Sequence, residues 1–391
     1  MKLGIVTYHS CLNEGAILQA SCLSSALKER LPGSEVEIVD YRYPSERKAY
    51  GPVDDRRKKA LSEFVEHVLP LSRERFEDED PRRAHEFIGK NYDMLVVGSD
   101  EVWRLEYMRR LGGLRVDRGS PWTPPFPNIY WPNGQVEIMK TAYGASVGGT
   151  DWRMIPRSDK RQMREALLGF SSIGVRDSRT SSFLRWLDPA LEARSEDVPD
   201  PTFALDWLSK VNREGVRRKL ENAGVDFRRQ RLGIVLMDSP WLQRIVEDFR
   251  AKGFQIIGLS IPNRFSDVEL FREGFTPLEW GSVFGLMDAC LTQRMHPSIC
   301  SILGGTPVAV LDFYGNAFDE ESKLSDLMRT FGLVEYYYRY ERNKASFSDM
   351  LATCRRAIET PWPEEKVQEV VKGLQGRARK FIDGLTAGQR R

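Results

Sequence analysis

LGIVTY at residues 3–8, then Ala16, Ala20, Leu23 and Leu27, then VEIVD at residues 36–40: this opening decides the fold class. The first run is short and apolar, as a strand buried on both faces should be. The next residues recur every three or four positions, the spacing of a one-sided helix. Pro32–Gly33 closes that helix, and the second apolar run follows. Strand, helix and strand in this order make a βαβ unit, and such units imply a parallel sheet covered by helices.

The alternation continues outward from that unit. MLVVGSD (94–100), TAYGAS (141–146) and SIGVRD (172–177) read as strands, with a helix over residues 156–168. Residues 46–91 are crowded with Arg, Lys, Glu and Asp. They predict amphipathic helices near 61–69 and 81–90, the charge run being a solvated face. Residues 109–133 hold Gly112, Gly113, Gly119 and several prolines, and read as a long loop. DVPDPTFALD (197–206) reads as an interdomain connection. The pattern then restarts: strands at LGIVLM (232–237), FQIIGL (254–259), DACLTQ (288–293) and PVAVLD (307–312), with helices at 241–252, 298–303 and 323–330. The expected fold is α/β, with two Rossmann-like doubly wound domains, 1–200 and 201–362, facing a cleft. A basic tail follows at 363–391.

Composition narrows the function. The chain has 391 residues, enough for two or three domains at roughly 150 residues each. Lys and Arg number 58 against 56 Asp and Glu, so a general polyanion binder is excluded and no nucleic-acid partner is expected. No apolar run approaches the ~18 residues of a membrane span, and the N-terminus does not read as a signal peptide. Five scattered cysteines fit a reduced, cytoplasmic setting. With no Cys-x-x-Cys and four histidines, no metal site is expected.

In doubly wound domains ligands sit beyond the carboxyl ends of the strands. After the first strand come Asn13, Glu14 and Gly15 at a helix start, either a substrate-binding turn or a plain Asn cap. After the third come Ser99 and Asp100; Asp100 is a proton-transfer candidate or the cap of a following helix. Tyr143 lies in TAYGAS, and Tyr314 follows the strand at 307–312. Arg176 ends SIGV, placed for a phosphate or carboxylate, or else paired with Asp177 or a neighbour. The sharpest local signal is Gln293-Arg294-Met295-His296-Pro297. Arg294 and His296 project to one side of an extended segment, and Pro297 suits a first helical turn. A fixed cation, an imidazole and a helix N-terminus then meet at one point. The motifs G-x-x-x-x-G-K-[ST] and H-E-x-x-H are absent.

The ordered set GIVTYH…NEGAILQASCLSSAL, YDMLVVGSDEVW, TAYGASVG, IGVRDSRT, DPTF and QRMHPSICSILGGTPVAVLDFYGN resembles the polysaccharide pyruvyl transferase family. The resemblance covers roughly residues 2–332. It implies a GT-B-like pair of domains and transfer of a pyruvyl group from phosphoenolpyruvate to sugar hydroxyls, leaving a pyruvate ketal and phosphate. No cofactor is implied beyond that donor. Arg176 and Arg294 match the family's donor-binding arginines, and His296 the histidine of its R-x-H motif. Met295 would serve through its backbone N–H. Asp100 matches the acid of its GSD motif. His296 and Asp100 are then the proton-transfer pair, with Asn13, Glu14, Gly15, Ser99, Tyr143 and Tyr314 as further substrate contacts. The chain departs from the family pattern at Glu14, Glu101 and Arg104. The implied partners are phosphoenolpyruvate and a sugar or lipid-linked glycan; no oligomeric state is implied.

Two other readings stay open: a GT-B glycosyltransferase using a nucleotide sugar, and a non-catalytic glycan-assembly protein. The tail carries Val371, Leu374, Phe381, Ile382 and Leu385 among basic residues. It is expected to pack on the N-terminal domain; the alternative is peripheral contact with an anionic inner membrane face.

Overall fold

A computed structural model of the chain describes residues 1–44, 56–110, 115–134, 136–313, 322–341 and 344–387. The chain forms two units. The first comprises Met1–Val53, Ser62–Leu205 and Leu374–Arg391; the second comprises Asp54–Leu61 and Asp206–Gly373.

In chain order the elements up to residue 205 are β1 (Lys2–Val6), α1 (Glu14–Arg30), β2 (Glu35–Tyr41), α2 (Arg56–His67), β3 (Leu71–Phe76), α3 (Arg82–Asn91), β4 (Met94–Val97), the hairpin β5 (Tyr107–Arg110) and β6 (Arg115–Arg118), β7 (Met139–Ala145), α4 (Arg157–Leu168), β8 (Ser172–Val175), α5 (Ser178–Leu187), α6 (Pro189–Ala193) and β9 (Ser195–Asp197). Seven strands form one sheet in the order β3-β2-β1-β4-β7-β8-β9, with every pairing parallel. Strand order reverses between β1 and β4. The central strand β4 is buried along its whole length, because helices cover both faces of such a sheet.

The second unit continues with α7 (Arg213–Asn222), β10 (Arg231–Val235), α8 (Pro240–Ala251), β11 (Gln255–Gly258), β12 (Val268–Glu269), α9 (Pro277–Val283), β13 (Ala289–Thr292), α10 (Met295–Leu303), β14 (Val308–Asp312), α11 (Lys323–Thr330), β15 (Tyr337–Arg339), α12 (Phe347–Glu359) and α13 (Glu364–Ala387). Its sheet runs β12-β11-β10-β13-β14-β15, again all parallel, and reverses between β10 and β13. Its core gathers Leu232, Ile245, Phe249, Ile256, Leu291 and Met350. Two doubly wound parallel units are the α/β architecture the opening motif predicts.

Several local expectations need correcting. LSRERF, for which no element is predicted between the helices near 61–69 and 81–90, is the edge strand β3. It buries Ser72 and Phe76 and leaves its arginines toward solvent, as edge strands do. The predicted loop at 109–133 contains the antiparallel β5–β6 pair. The connection at 197–206 starts in β9 and is buried at Asp200, Pro201, Thr202 and Phe203. α10 begins at Met295, three residues before the predicted start, because Pro297 is accommodated inside the first turn.

The tail is α13, whose residues from Leu374 onward belong to the first unit. Val371, Leu374, Phe381, Ile382 and Leu385 are all buried. Phe381 meets the Tyr143 ring edge-on at 5.6 Å, Arg30 pairs with Asp383, and Arg377 pairs with Asp197. The apolar stripe is therefore used inside the protein, which removes the membrane alternative for it. Among the described residues no helix is long and apolar enough to cross a membrane.

Candidate functional site

Each sheet gathers candidate groups at its own reversal point, where ligands of doubly wound folds bind. In the first unit the ends of β1 and β4 are tied together. The Thr7 hydroxyl donates to the Ser99 carbonyl at 3.0 Å, and Gln19 Nε2 donates to the Thr7 hydroxyl at 3.1 Å. The loop after β4 has an uncommon backbone. Gly98 has φ +113°, the Gly98–Ser99 peptide is cis, and Asp100 has φ +77°. Positive φ at a non-glycine residue is costly and clusters at functional sites. No helix follows Asp100, which is succeeded by a turn, so the helix-cap reading of Asp100 is corrected. Its carbonyl accepts from the Ser146 N–H at 2.9 Å instead, tying the loop to the end of β7.

The Asp100 carboxylate is anchored by one oxygen. Oδ1 accepts from the Glu101 N–H at 2.9 Å and from Arg176 Nη2 at 2.8 Å. Arg176 Nη1 donates to Asp200 Oδ2 at 2.5 Å. Asp200 Oδ1 in turn accepts from the Thr202 N–H at 3.1 Å and the Thr202 hydroxyl at 2.7 Å. The Arg176 and Asp200 side chains are sealed, at 1% and 0% exposure, while Asp100 keeps 12%. Burial alone would lower the pKa of Arg176, but Asp100, Asp200 and Asp177 outweigh it and raise it. Arg176, expected at the donor, thus already shares its charge between two carboxylates. Its partners are Asp100 and Asp200; the Asp177 side chain is occupied in capping α5 through the Thr180 N–H at 2.8 Å. Asp200 is the residue that the sequence reading passes over.

The other first-unit candidates have local duties. Asn13 caps α1, accepting from the Ala16 N–H at 3.4 Å. Glu14 and Gly15 are buried in the first turn of α1, where a carboxylate suits the helix dipole. Ser99 is fully buried. Tyr143 is fully buried against α13 with its pKa raised by that burial, so the substrate-contact expectation for Tyr143 is corrected: it is a core residue. Glu101 and Arg104, the charged departures from the family pattern, pair with each other at 3.2 Å. Nearby, His9 and Asp40 form a second buried pair at 3.1 Å. Burial pushes the Asp40 pKa up, but hydrogen bonds from His9, Arg42 and Arg75 more than offset it and hold Asp40 well below the carboxylate range.

Gly98 can be tested directly. A Cβ there would lie 2.5 Å from the Tyr143 carbonyl oxygen, a backbone atom that cannot swing away. With the φ penalty added, Gly98→Ala is expected to destabilise the protein by about 3 kcal/mol or more. Denaturant unfolding measures it; a loss below about 1 kcal/mol would show that the loop relaxes freely.

In the second unit the ends of β10 and β13 are joined, the Met237 N–H donating to Gln293 Oε1 at 3.0 Å. Arg294 is the N-cap residue of α10, in extended backbone conformation with no side-chain cap bond. Its own amide donates to the Thr292 hydroxyl at 3.0 Å, and its carbonyl accepts from the Ser298 hydroxyl at 2.8 Å. The backbone is thereby fixed while the guanidinium is exposed. Among the described residues no carboxylate pairs with it. Met295 and His296 are buried in the first turn of α10, which rests on Ile299, Cys300 and Ile302. An exposed guanidinium at the positive end of a helix, with an imidazole two residues on, is chemistry suited to an anion. Tyr314 lies outside the described residues.

Comparison with known proteins follows from this geometry. The structure is similar to UDP-GlcNAc 2-epimerase from Neisseria meningitidis bound to UDP-GlcNAc, with TM-score 0.57 and 10% identity, covering 98% of this chain and 99% of that one. It is also similar to UDP-GlcNAc 2-epimerase from Methanocaldococcus jannaschii, with TM-score 0.53 and 12% identity over 99% of both chains. A spinosyn forosaminyltransferase gives TM-score 0.51 at 11% identity, covering 100% of each chain. At such identities the likeness is one of fold, and that fold is GT-B. No curated protein matches the sequence. Residues 13–313 match the sequence profile described as polysaccharide pyruvyl transferase, a span that holds the Asp100–Arg176–Asp200 group and the Arg294–His296 group alike. The chain is a member of the polysaccharide pyruvyl transferase family, and so an enzyme of the transferase class.

Proposed function

We propose that this protein transfers a pyruvyl group from phosphoenolpyruvate to two hydroxyls of a glycan sugar, free or lipid-linked, forming a ketal and releasing phosphate. The observation that carries the reading is Arg294: an exposed guanidinium, without a carboxylate partner among the described residues, at the N-terminal end of α10. Phosphoenolpyruvate presents a phosphate and a carboxylate, and both suit a guanidinium fork and first-turn amides.

In this reading Arg294 and the Met295 amide hold the donor. His296 delivers a proton to the donor methylene carbon, and positive charge develops at C2. A sugar hydroxyl attacks C2 and gives its proton to Asp100. Departure of phosphate, with its charge stabilised by Arg294, re-forms the electrophile, and a second hydroxyl closes the ketal as it gives its proton to His296, now the base. The proposal needs no metal, since the guanidinium does for the phosphate what Mg²⁺ does elsewhere.

A thermal-shift titration tests the donor. Phosphoenolpyruvate should raise the melting temperature of the wild-type protein by mass action. Arg294→Ala should weaken its binding by about 2–3 kcal/mol, the range of a charge-assisted contact. UDP- and GDP-sugars should give far smaller shifts. A saturable shift with a nucleotide sugar and none with phosphoenolpyruvate would replace this reading with a glycosyltransferase, as one structural neighbour, the forosaminyltransferase, is named.

A further inference from the structure

We infer that Asp200, acting through Arg176, is a positioning residue for Asp100: it holds the Asp100 carboxylate with Oδ1 anchored and Oδ2 left to take a proton. The inference rests on the proposed role of Asp100 as base.

The hydrogen bonds run in one direction. Thr202 gives two donors to Asp200 Oδ1, which turns Oδ2 toward Arg176 Nη1. The guanidinium is planar, so fixing one Nη fixes the other, and Nη2 meets Asp100 Oδ1. The Glu101 N–H supplies a second donor to the same oxygen. Oδ2 of Asp100 takes no hydrogen bond from the described residues. Asp100 retains exposure whereas Arg176 and Asp200 have essentially none. Of the two carboxylates, only Asp100 can therefore exchange a proton with a bound hydroxyl.

The relay predicts a change of geometry. In a crystal structure of Asp200→Asn the Arg176 guanidinium should turn away from residue 200, and the Asp100 carboxylate should leave the orientation in which Oδ1 takes both bonds. In Asp200→Asn, kcat should drop about tenfold or more, with the KM for phosphoenolpyruvate unchanged. An Asp100 carboxylate that keeps its wild-type orientation in folded Asp200→Asn overturns the inference. Should a variant fail to fold, Arg176→Lys carries the test, since it keeps the charge and loses the fork. A fall in kcat at constant KM supports positioning. A rise in KM at constant kcat makes Arg176 a donor contact and overturns it. A wild-type protein that never turns over phosphoenolpyruvate refutes the proposed function, and the structure of Asp200→Asn still decides whether Asp200 governs Asp100.

Discussion

Asp100→Asn is expected to lower turnover by about 10²–10⁴-fold, the usual share of a general base, with the protein still folded. Asparagine keeps an acceptor oxygen for the Glu101 amide and Arg176 Nη2, the two bonds that hold Asp100 Oδ1. It replaces Oδ2 by an amide nitrogen that cannot take a proton. The structural alternative makes Asp100 a pin for the loop after β4, where its carbonyl also accepts from Ser146. A pin would cost stability and spare turnover. Melting temperature and kcat measured on one preparation separate the two roles. A stable variant with near wild-type kcat removes Asp100 from the chemistry.

His296→Ala carries the second large effect, again about 10²–10⁴-fold in turnover. Alanine is well tolerated in a first helical turn, and the contacts of α10 with the core run through Ile299, Cys300 and Ile302. The fold should survive. Donor affinity should fall less than in Arg294→Ala, because the guanidinium and the Met295 amide stay. If His296 serves only to pack the first turn, the variant will melt earlier and turn over normally, and that result would exclude it as the acid.

Most of the scaffold was legible because parallel strands buried on both faces are written as unbroken apolar runs. LGIVTY, MLVVGSD and PVAVLD leave no other use for their side chains. β3 was not legible: an edge strand meets water along one side, so LSRERF carries the composition of a solvated helix. The Arg294–His296 group could be read because its residues are consecutive and a proline marks the helix start. Asp200 could not. Its meaning depends on Arg176, 24 residues earlier, and on Asp100, 76 residues before that arginine. Among other aspartates and two prolines it looks like connection chemistry. The same distance in sequence hid the state of Arg176, whose type announces an anion site and whose surroundings have already supplied the anions. Tyr143 is the converse case: the family resemblance makes it a substrate contact, and only the packing of Phe381 shows it as interior.

The division of the chain bears on how the protein is made. The first unit contains residue 1 onward, yet part of its interior comes from α13: Phe381 lies against Tyr143, and Asp383 and Arg377 add exposed pairs with Arg30 and Asp197. A ribosome delivers those residues after the whole of the second unit. At translation speeds of about 5–20 residues per second, the seven-stranded sheet waits roughly 10–40 s with Tyr143 and its neighbours uncovered. The unit begun first is completed last, so vectorial synthesis favours closing the second unit ahead of the first.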